Sequence, residues 1–350
     1  MLSPSDEPVS MDRYLKHWAV ATAVLVLGAL ALNLLVDPLW YGRGNRLTGR
    51  NYEFNERVSK ANLFLQDPAR YDCLILGSST STIVRPSLLA PHRCLNLAFS
   101  AGVVGEFLAY ARWLRAHGAR PSLVIVGTDF VNFDPRVDAQ VDVPDFVARS
   151  EAPPPRWKSY LSLDALLWSV LAVLDQSPYP KFYDERFEVV IRPDAGTFDP
   201  EGVWLPPRVL DPARVARFGE LRGLFPEARF IGWMPPLSAW HVAELERAGM
   251  LPDYLRGLHA LTSVLDEVYD FAVPSDVTAR TDNTYDGRHY GNEVNARVTH
   301  RLAGHEDTFG VRVGGLPLEA YRALYTEGLR VFRSGGQANP SAPVSGPPMP

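Results

Sequence analysis

Hydrophobic positions are distributed along this chain in two distinct ways. From Trp18 to Val36 the sequence reads WAVATAVLVLGALALNLLV, nineteen residues without a charge. At a rise of about 1.5 Å per residue, such a run matches a bilayer core of about 30 Å. It predicts a transmembrane anchor at 18–36, preceded by a short tail at 1–17. Ala29-Leu30-Ala31 resembles a signal-peptidase site, but the apolar run continues beyond it, so the anchor is expected to stay uncleaved. Arg13 and Lys16 precede the span and Arg43, Arg46 and Arg50 follow it, so basic flanks alone do not set its orientation. "LLWSVLAVL", Leu166 to Leu174, is too short for a second span.

Beyond a polar, turn-rich connection (Asp37 to Phe64), short apolar runs alternate with helical patterns. The strands predicted are Asp72–Gly77, Arg93–Ala98, Ser122–Gly127, Arg229–Trp233 and Val268–Phe271. Helices are predicted over Val104–Gly118, Ser162–Leu174, Pro212–Leu224, Ala239–Ala248, Asp253–Asp266, His289–Ala303 and Leu318–Val331. Alternation of this kind implies an α/β fold, a central parallel sheet of about five strands covered on both faces, α/β/α in three layers. Ligands of such sheets bind beyond the carboxyl ends of the strands. The long stretch at about 130–228 reads as an inserted, cap-like segment within a domain at 37–333. The Pro/Gly/Ser-rich tail at 334–350 reads as disordered.

Composition narrows the picture further. The chain has 350 residues, 46% of them hydrophobic, enough for a sizeable core. A formal charge of −5 lacks the basic footprint of a nucleic-acid binder. Cys73 and Cys94 are too few for a disulfide scaffold or a cysteine-rich zinc site. Both stand near the start of apolar runs, so neighbouring parallel strands could bring them together to bond in an oxidising compartment. Two buried thiols are the expected state.

The candidate chemistry lies at strand exits. "YDCLILGSSTSTIVRPSLL" leaves an apolar strand through Gly77-Ser78-Ser79-Thr80-Ser81. That pattern suits a helix N-cap or a nucleophilic serine at a strand-to-helix turn. A serine nucleophile needs a base and a group to orient it. In "TDNTYDGRHYGNEVNARV", Asp286 and His289 are three apart at the predicted start of a helix, so one loop can present a carboxylate and an imidazole together.

On these residues the chain resembles the SGNH (GDSL-type) hydrolases, whose fold is flavodoxin-like. Gly77-Ser78-Ser79 is similar to the first block, with Ser78 where the family usually has Asp. "DGRH" is similar to the last block. The resemblance is to the membrane-anchored, extracytoplasmic branch that includes the alginate O-acetylation and DltD-type proteins. It also draws on "LVDPLW", "NLAFSAG", "VIVGTDFVNF" and "WMPPLSAW". It implies that Ser79 is the nucleophile, His289 the base and Asp286 its orienting carboxylate. For the oxyanion hole it implies the N–H of Ser79, a backbone N–H at Gly102 (or Ser100 or Ala101), and an Asn side chain after the third strand. There the chain has Gly127-Thr128-Asp129 in place of Gly-x-Asn. An ionised Asp129 would oppose a developing oxyanion, unless it is protonated or Asn132 substitutes.

The implied activity is O-acyl(acetyl) transfer or ester hydrolysis on a cell-envelope or exported polysaccharide. The implied partner is a multi-spanning acyltransferase, and the implied location is the inner membrane, with the domain on the periplasmic side. The second expectation is a non-catalytic SGNH-fold binding or assembly component. A third, a secreted soluble hydrolase, requires cleavage near Ala31. No cofactor or metal is expected. Asp282 to Glu293 nearly spells an EF-hand loop, but no entering helix precedes it. Asp134, Asp138, Asp142 and Asp145 read as a solvated acidic loop, and Trp168, Trp204, Trp233 and Trp240 as core aromatics. The chain has no Walker loop, no Gly-x-Gly-x-x-Gly and no Gly-x-Ser-x-Gly elbow.

Overall fold

The computed structural model describes residues 11–52, 55–141 and 143–335. Most of the proposed tail at 334–350, the first ten residues and Asp142 lie outside them. A first helix, α1 (Met11–Val36), contains the whole apolar run and starts seven residues before it. It is long and apolar enough to cross a membrane. The following segment is more than a connection. Asn55 caps α2 (Glu56–Gln66) by accepting from the Val58 N–H, and the helix buries Val58, Lys60, Ala61 and Phe64. The polar look of "ERVSKANLFLQ" hid it, because several of its polar side chains turn inward.

The chain then lays down β1 (Cys73–Leu76), β2 (Cys94–Asn96), α3 (Val104–Ala116) and β3 (Leu123–Gly127). Next come the short helices α4 (Asp145–Ala148) and α5 (Arg156–Tyr160), then α6 (Leu163–Val173) and a hairpin of β4 (Lys181–Tyr183) and β5 (Val189–Ile191). α7 (Val215–Leu224), β6 (Arg229–Met234), α8 (Ala239–Arg247), α9 (Leu251–Leu261) and β7 (Glu267–Asp270) follow. α10 (Asn292–Leu302), β8 (Val311–Arg312) and α11 (Leu318–Ser334) complete the order.

Six strands form the central sheet in the order β2-β1-β3-β6-β7-β8. The first five run parallel, and β8 is an antiparallel edge pairing Tyr269 with Arg312. This sixth strand is two residues long and has no alternating pattern to betray it. Successive residues along the strands face opposite sides and join different apolar clusters. Leu74, Leu76, Val124, Val126, Phe230 and Val268 pack with residues of α3, α7, α9 and α11. Ile75, Ile125, Ile231 and Trp233 pack instead with Val294, Val298 and Leu302 of α10. α7 therefore belongs to the main core, although the sequence placed it inside the insertion.

Cys73 and Cys94 are register partners on adjacent parallel strands and are joined in a disulfide. The expectation of two thiols is thus replaced by a cross-link between strands. Trp233 is core, whereas Trp204 is largely exposed, contrary to its reading as a core residue. Asp134 also departs from the solvated acidic loop: it is fully buried, paired with Arg136 and Arg208 at 2.8 Å each. Its bonds to these arginines hold its carboxyl well below the usual range.

Candidate active site

Gly77 follows β1 at a point where no side chain fits. A Cβ on Gly77 would stand 2.2 Å from Ser81 Oγ, and one on Gly127 at the end of β3 would meet the same atom at 2.2 Å. Two glycines on neighbouring strands thus leave room for the buried Ser81 side chain, and the chain turns sharply over them. The turn after Ser78 is closed by Ser81 N–H to Ser78 O (2.9 Å) and Thr82 N–H to Ser79 O (3.3 Å). No α-helix follows: Ser79 sits in a run of turns rather than at the helix N-terminus that the sequence suggested.

Side chains from elsewhere hold this turn. Asp129 accepts from Ser78 Oγ at 2.7 Å and Thr80 Oγ1 at 3.2 Å, so its carboxylate clasps the two hydroxyls flanking Ser79. Asn96, at the end of β2, donates to Ser81 O (3.0 Å), Thr82 O (3.1 Å) and Val84 O (2.9 Å). Thr82 Oγ1 donates to Ser79 O at 2.7 Å and receives Lys181 Nζ of β4 at 3.3 Å.

Asp286 and His289 lie in a compact loop before α10, which begins at Asn292 rather than at His289. Thr284 Oγ1 accepts from Gly287 N–H (3.0 Å) and donates to His289 O (2.8 Å). Gly287 adopts φ +75°, and a Cβ there would run into Phe198 and His241 at 2.8 and 2.9 Å, so glycine is required. Asp286 Oδ1 accepts the N–H groups of Arg288 (2.9 Å) and His289 (2.7 Å). Its Oδ2 lies 2.7 Å from His289 Nδ1, and His289 Nε2 lies 2.9 Å from Ser79 Oγ. Burial disfavours the Asp286 charge, but the hydrogen bond and charge of His289 and the two backbone donors outweigh it and hold the carboxyl down at about 2. Tyr285 stacks on the imidazole with ring centroids 5.4 Å apart.

The structure therefore joins Ser79, His289 and Asp286, residues 210 apart in sequence at the serine–histidine contact. The oxyanion candidates fare differently. Gly102 packs against the Gly77 carbonyl, but its N–H is spent on Phe99 O at 2.9 Å. Ser100 gives its N–H to Glu56 at 2.7 Å. Ala101, between them, is exposed at φ +58°, and its N–H has no hydrogen-bond partner among the described residues. The N–H of Ser79 is likewise unengaged. Asp129 acts as an acceptor only. Asn132 uses Oδ1 to accept the Val104 N–H at the start of α3 (2.7 Å), and its Nδ2 is buried without a partner.

Two features escaped the sequence reading. His241, buried against the Asp286–His289 loop, is held down at about 4 by burial and by the charge of Arg288. It bonds Ser238 at 2.8 Å and stacks on Phe198, so it acts as a neutral wall for the loop. A cluster of Glu56, Lys60, Lys181 and Tyr183 lies buried beneath the Ser79 turn. Burial works against the Glu56 charge, but Lys60, Lys181 and the donors Tyr183 and Ser100 hold its carboxyl at about 2. Among the described residues, no group of three or more His, Cys, Asp or Glu side chains is placed to hold a metal ion.

Fold and site together define an α/β domain with a Ser–His–Asp constellation at the carboxyl ends of its strands. No family model matches the chain. No curated protein matches it either.

Proposed function

We propose that the protein is a membrane-anchored, extracytoplasmic serine acyl-ester enzyme of SGNH type. It would be an O-acyltransferase or esterase acting on acyl (acetyl) groups of a cell-envelope or exported polysaccharide. The observation that carries this reading is the continuous relay from Ser79 Oγ through His289 to Asp286, at 2.9 and 2.7 Å. With the proton on Nδ1 facing Asp286, Nε2 is free to accept the Ser79 proton as Oγ attacks an acyl carbonyl. His289 then returns the proton to the leaving alcohol. A second attack, by water or a sugar hydroxyl, releases the acyl group from Ser79. The unengaged N–H groups of Ser79 and Ala101 are the donors suited to the oxyanion.

In this reading the sheet, with its two apolar clusters, is the middle layer of the SGNH three-layer sandwich. The β4–β5 hairpin serves as part of a cap, through Lys181 on the Ser79 turn and Ile191 bonded both ways to Asn292. The Cys73–Cys94 disulfide supports an oxidising compartment for the domain. A multi-spanning acyltransferase would supply the acyl group at the membrane.

A specific observation favours the second reading, a non-catalytic binding or assembly component. Asp129 stands where a donor belongs, and its carboxylate only accepts. Covalent labelling of the full chain in detergent with a fluorophosphonate probe separates the two. Labelling of the wild type that is lost in Ser79→Ala and His289→Ala is the expected result. A folded wild-type protein that does not label would sink the enzyme reading and favour the binding component.

A further inference from the structure

We infer that α5 and α6 form a second membrane contact, lying in the bilayer interface beside the anchor with an apolar face in the lipid. If Trp18–Val36 of α1 crosses the hydrocarbon, its nineteen residues cover about 28 Å, no more than the core of about 30 Å needs. The part of α1 nearest the domain is not free, however. Asn33 Nδ2 donates to Tyr160 O at the end of α5 (2.8 Å), and Val36 packs with Ala172 of α6. Leu32 also meets this cluster, as do Trp168 and Leu171 of α6. Withdrawing that covered part, from Leu32 on, into water would leave Trp18 to Ala31 as the apolar stretch, only about 21 Å long. The elements packed on Leu32, Asn33 and Val36 must therefore share their depth.

The surface of α6 fits that depth. Its buried side is made of small residues, Ala165, Ser169 and Ala172, which let it approach its neighbours closely. The opposite side carries Leu163, Leu167, Val170 and Leu174 at helical spacing, with Leu163 81% and Leu174 62% exposed. Asp164, in the first turn, is its one charged residue. On α5, exposed Trp157 stands between the cations Arg156 and Lys158, a combination suited to the headgroup layer. In water this face would be a costly apolar patch. Against lipid it is a second foothold, and two footholds fix the tilt of the domain over the membrane.

The test uses the full chain in lipid nanodiscs, with nitroxide labels on Leu167→Cys and Leu174→Cys. Val24→Cys on α1 is the lipid reference and Glu306→Cys, on a side chain 99% exposed, the aqueous one. The expected result is a ratio of oxygen to nickel-chelate collisions at 167 and 174 several-fold above that at 306 and close to that at 24. Ratios equal to that at 306 would overturn the inference. So would shielding from both reagents, which would mean that protein covers the face, and so would an aqueous ratio at 24. If the labelled variants do not reconstitute, brominated lipid should quench the wild type more than Trp157→Phe. Equal quenching would count against the inference.

Discussion

The loop carrying Asp286 and His289 holds itself together. Thr284 bonds Gly287 and His289, Asp286 bonds Arg288 and His289, and Asn283 O accepts from Gly291 N–H (2.7 Å). All these bonds close within nine residues. The Ser79 turn has local bonds too, but it is also held from far away: by Asp129 across 51 positions, by Asn96 across about a dozen, and through Thr82 by Lys181 across 99. Asp286 and His289 thus form a self-closing unit, whereas Ser79 lies in a turn held by contacts from the sheet and the β4–β5 hairpin. Local closure makes a motif visible in sequence; distant closure makes a geometry depend on the whole fold.

The largest effect that sharpens this contrast is expected at Asp286. Asp286→Asn keeps an acceptor for the two backbone N–H groups but removes the charge facing Nδ1. Fluorophosphonate labelling should slow by roughly three to four orders of magnitude, with a stability change under about 1 kcal/mol. A variant that labels normally would remove Asp286 from the relay. A variant that unfolds would show that the loop is not self-supporting.

A smaller effect is expected from Asn96→Ala on the opposite side of the comparison. Three buried carbonyls of the Ser79 turn lose their donor, at a cost of about 2–3 kcal/mol in urea unfolding. Labelling should fall as well, because the loss loosens the turn itself. Full-rate labelling in a destabilised variant would break the claim that distant contacts place Ser79.

The smallest effect concerns acid. Glu56 takes up protons in the unfolded chain near its ordinary value of 4.5 but in the folded protein only near 2. Its contribution to stability is therefore complete above about pH 4.5 and is lost as pH falls toward 2. Glu56→Gln should flatten the decline of stability over that window. Asp286→Asn should flatten only the part from 3.8 to 2, the interval between its own ordinary and folded values. Unfolding midpoints at pH 5, 4 and 3 would show it, and identical slopes for wild type and Glu56→Gln would remove the buried cluster from this role.

Periodicity and spacing reached a good part of this molecule. The five parallel strands fall within about two residues of the runs that predicted them, because a strand buried on both faces must be continuously apolar. α3, α7 and α8 follow their apolar stripes and stop signals. The failures share a cause. α2 was illegible because Lys60 and Glu56 are buried as partners, and pairing is invisible in a linear pattern. β8 was too short to show a period. The chain after Ser79 lacks the expected helix because Ser81 and Asn96 satisfy its backbone in turns instead.

Among the site residues, Asp286 and His289 were recognisable from a spacing of three, and Ser79 from a glycine and hydroxyls at a strand end. Their meeting was not recognisable, since nothing in either stretch encodes the other. The sequence by itself determined an apolar span of membrane length, the alternation that makes a parallel sheet, and a loop whose carboxylate and imidazole meet through local bonds. Tertiary structure alone decided that Cys73 faces Cys94, that Asp129 clasps the Ser79 turn, that Gly102 rather than Ala101 spends its N–H on a partner among the described residues, and that α6 lies against α1. The reason is physical: periodicity and short-range hydrogen bonds are written within a few residues, whereas strand register and the burial of paired polar groups depend on which distant surfaces come together.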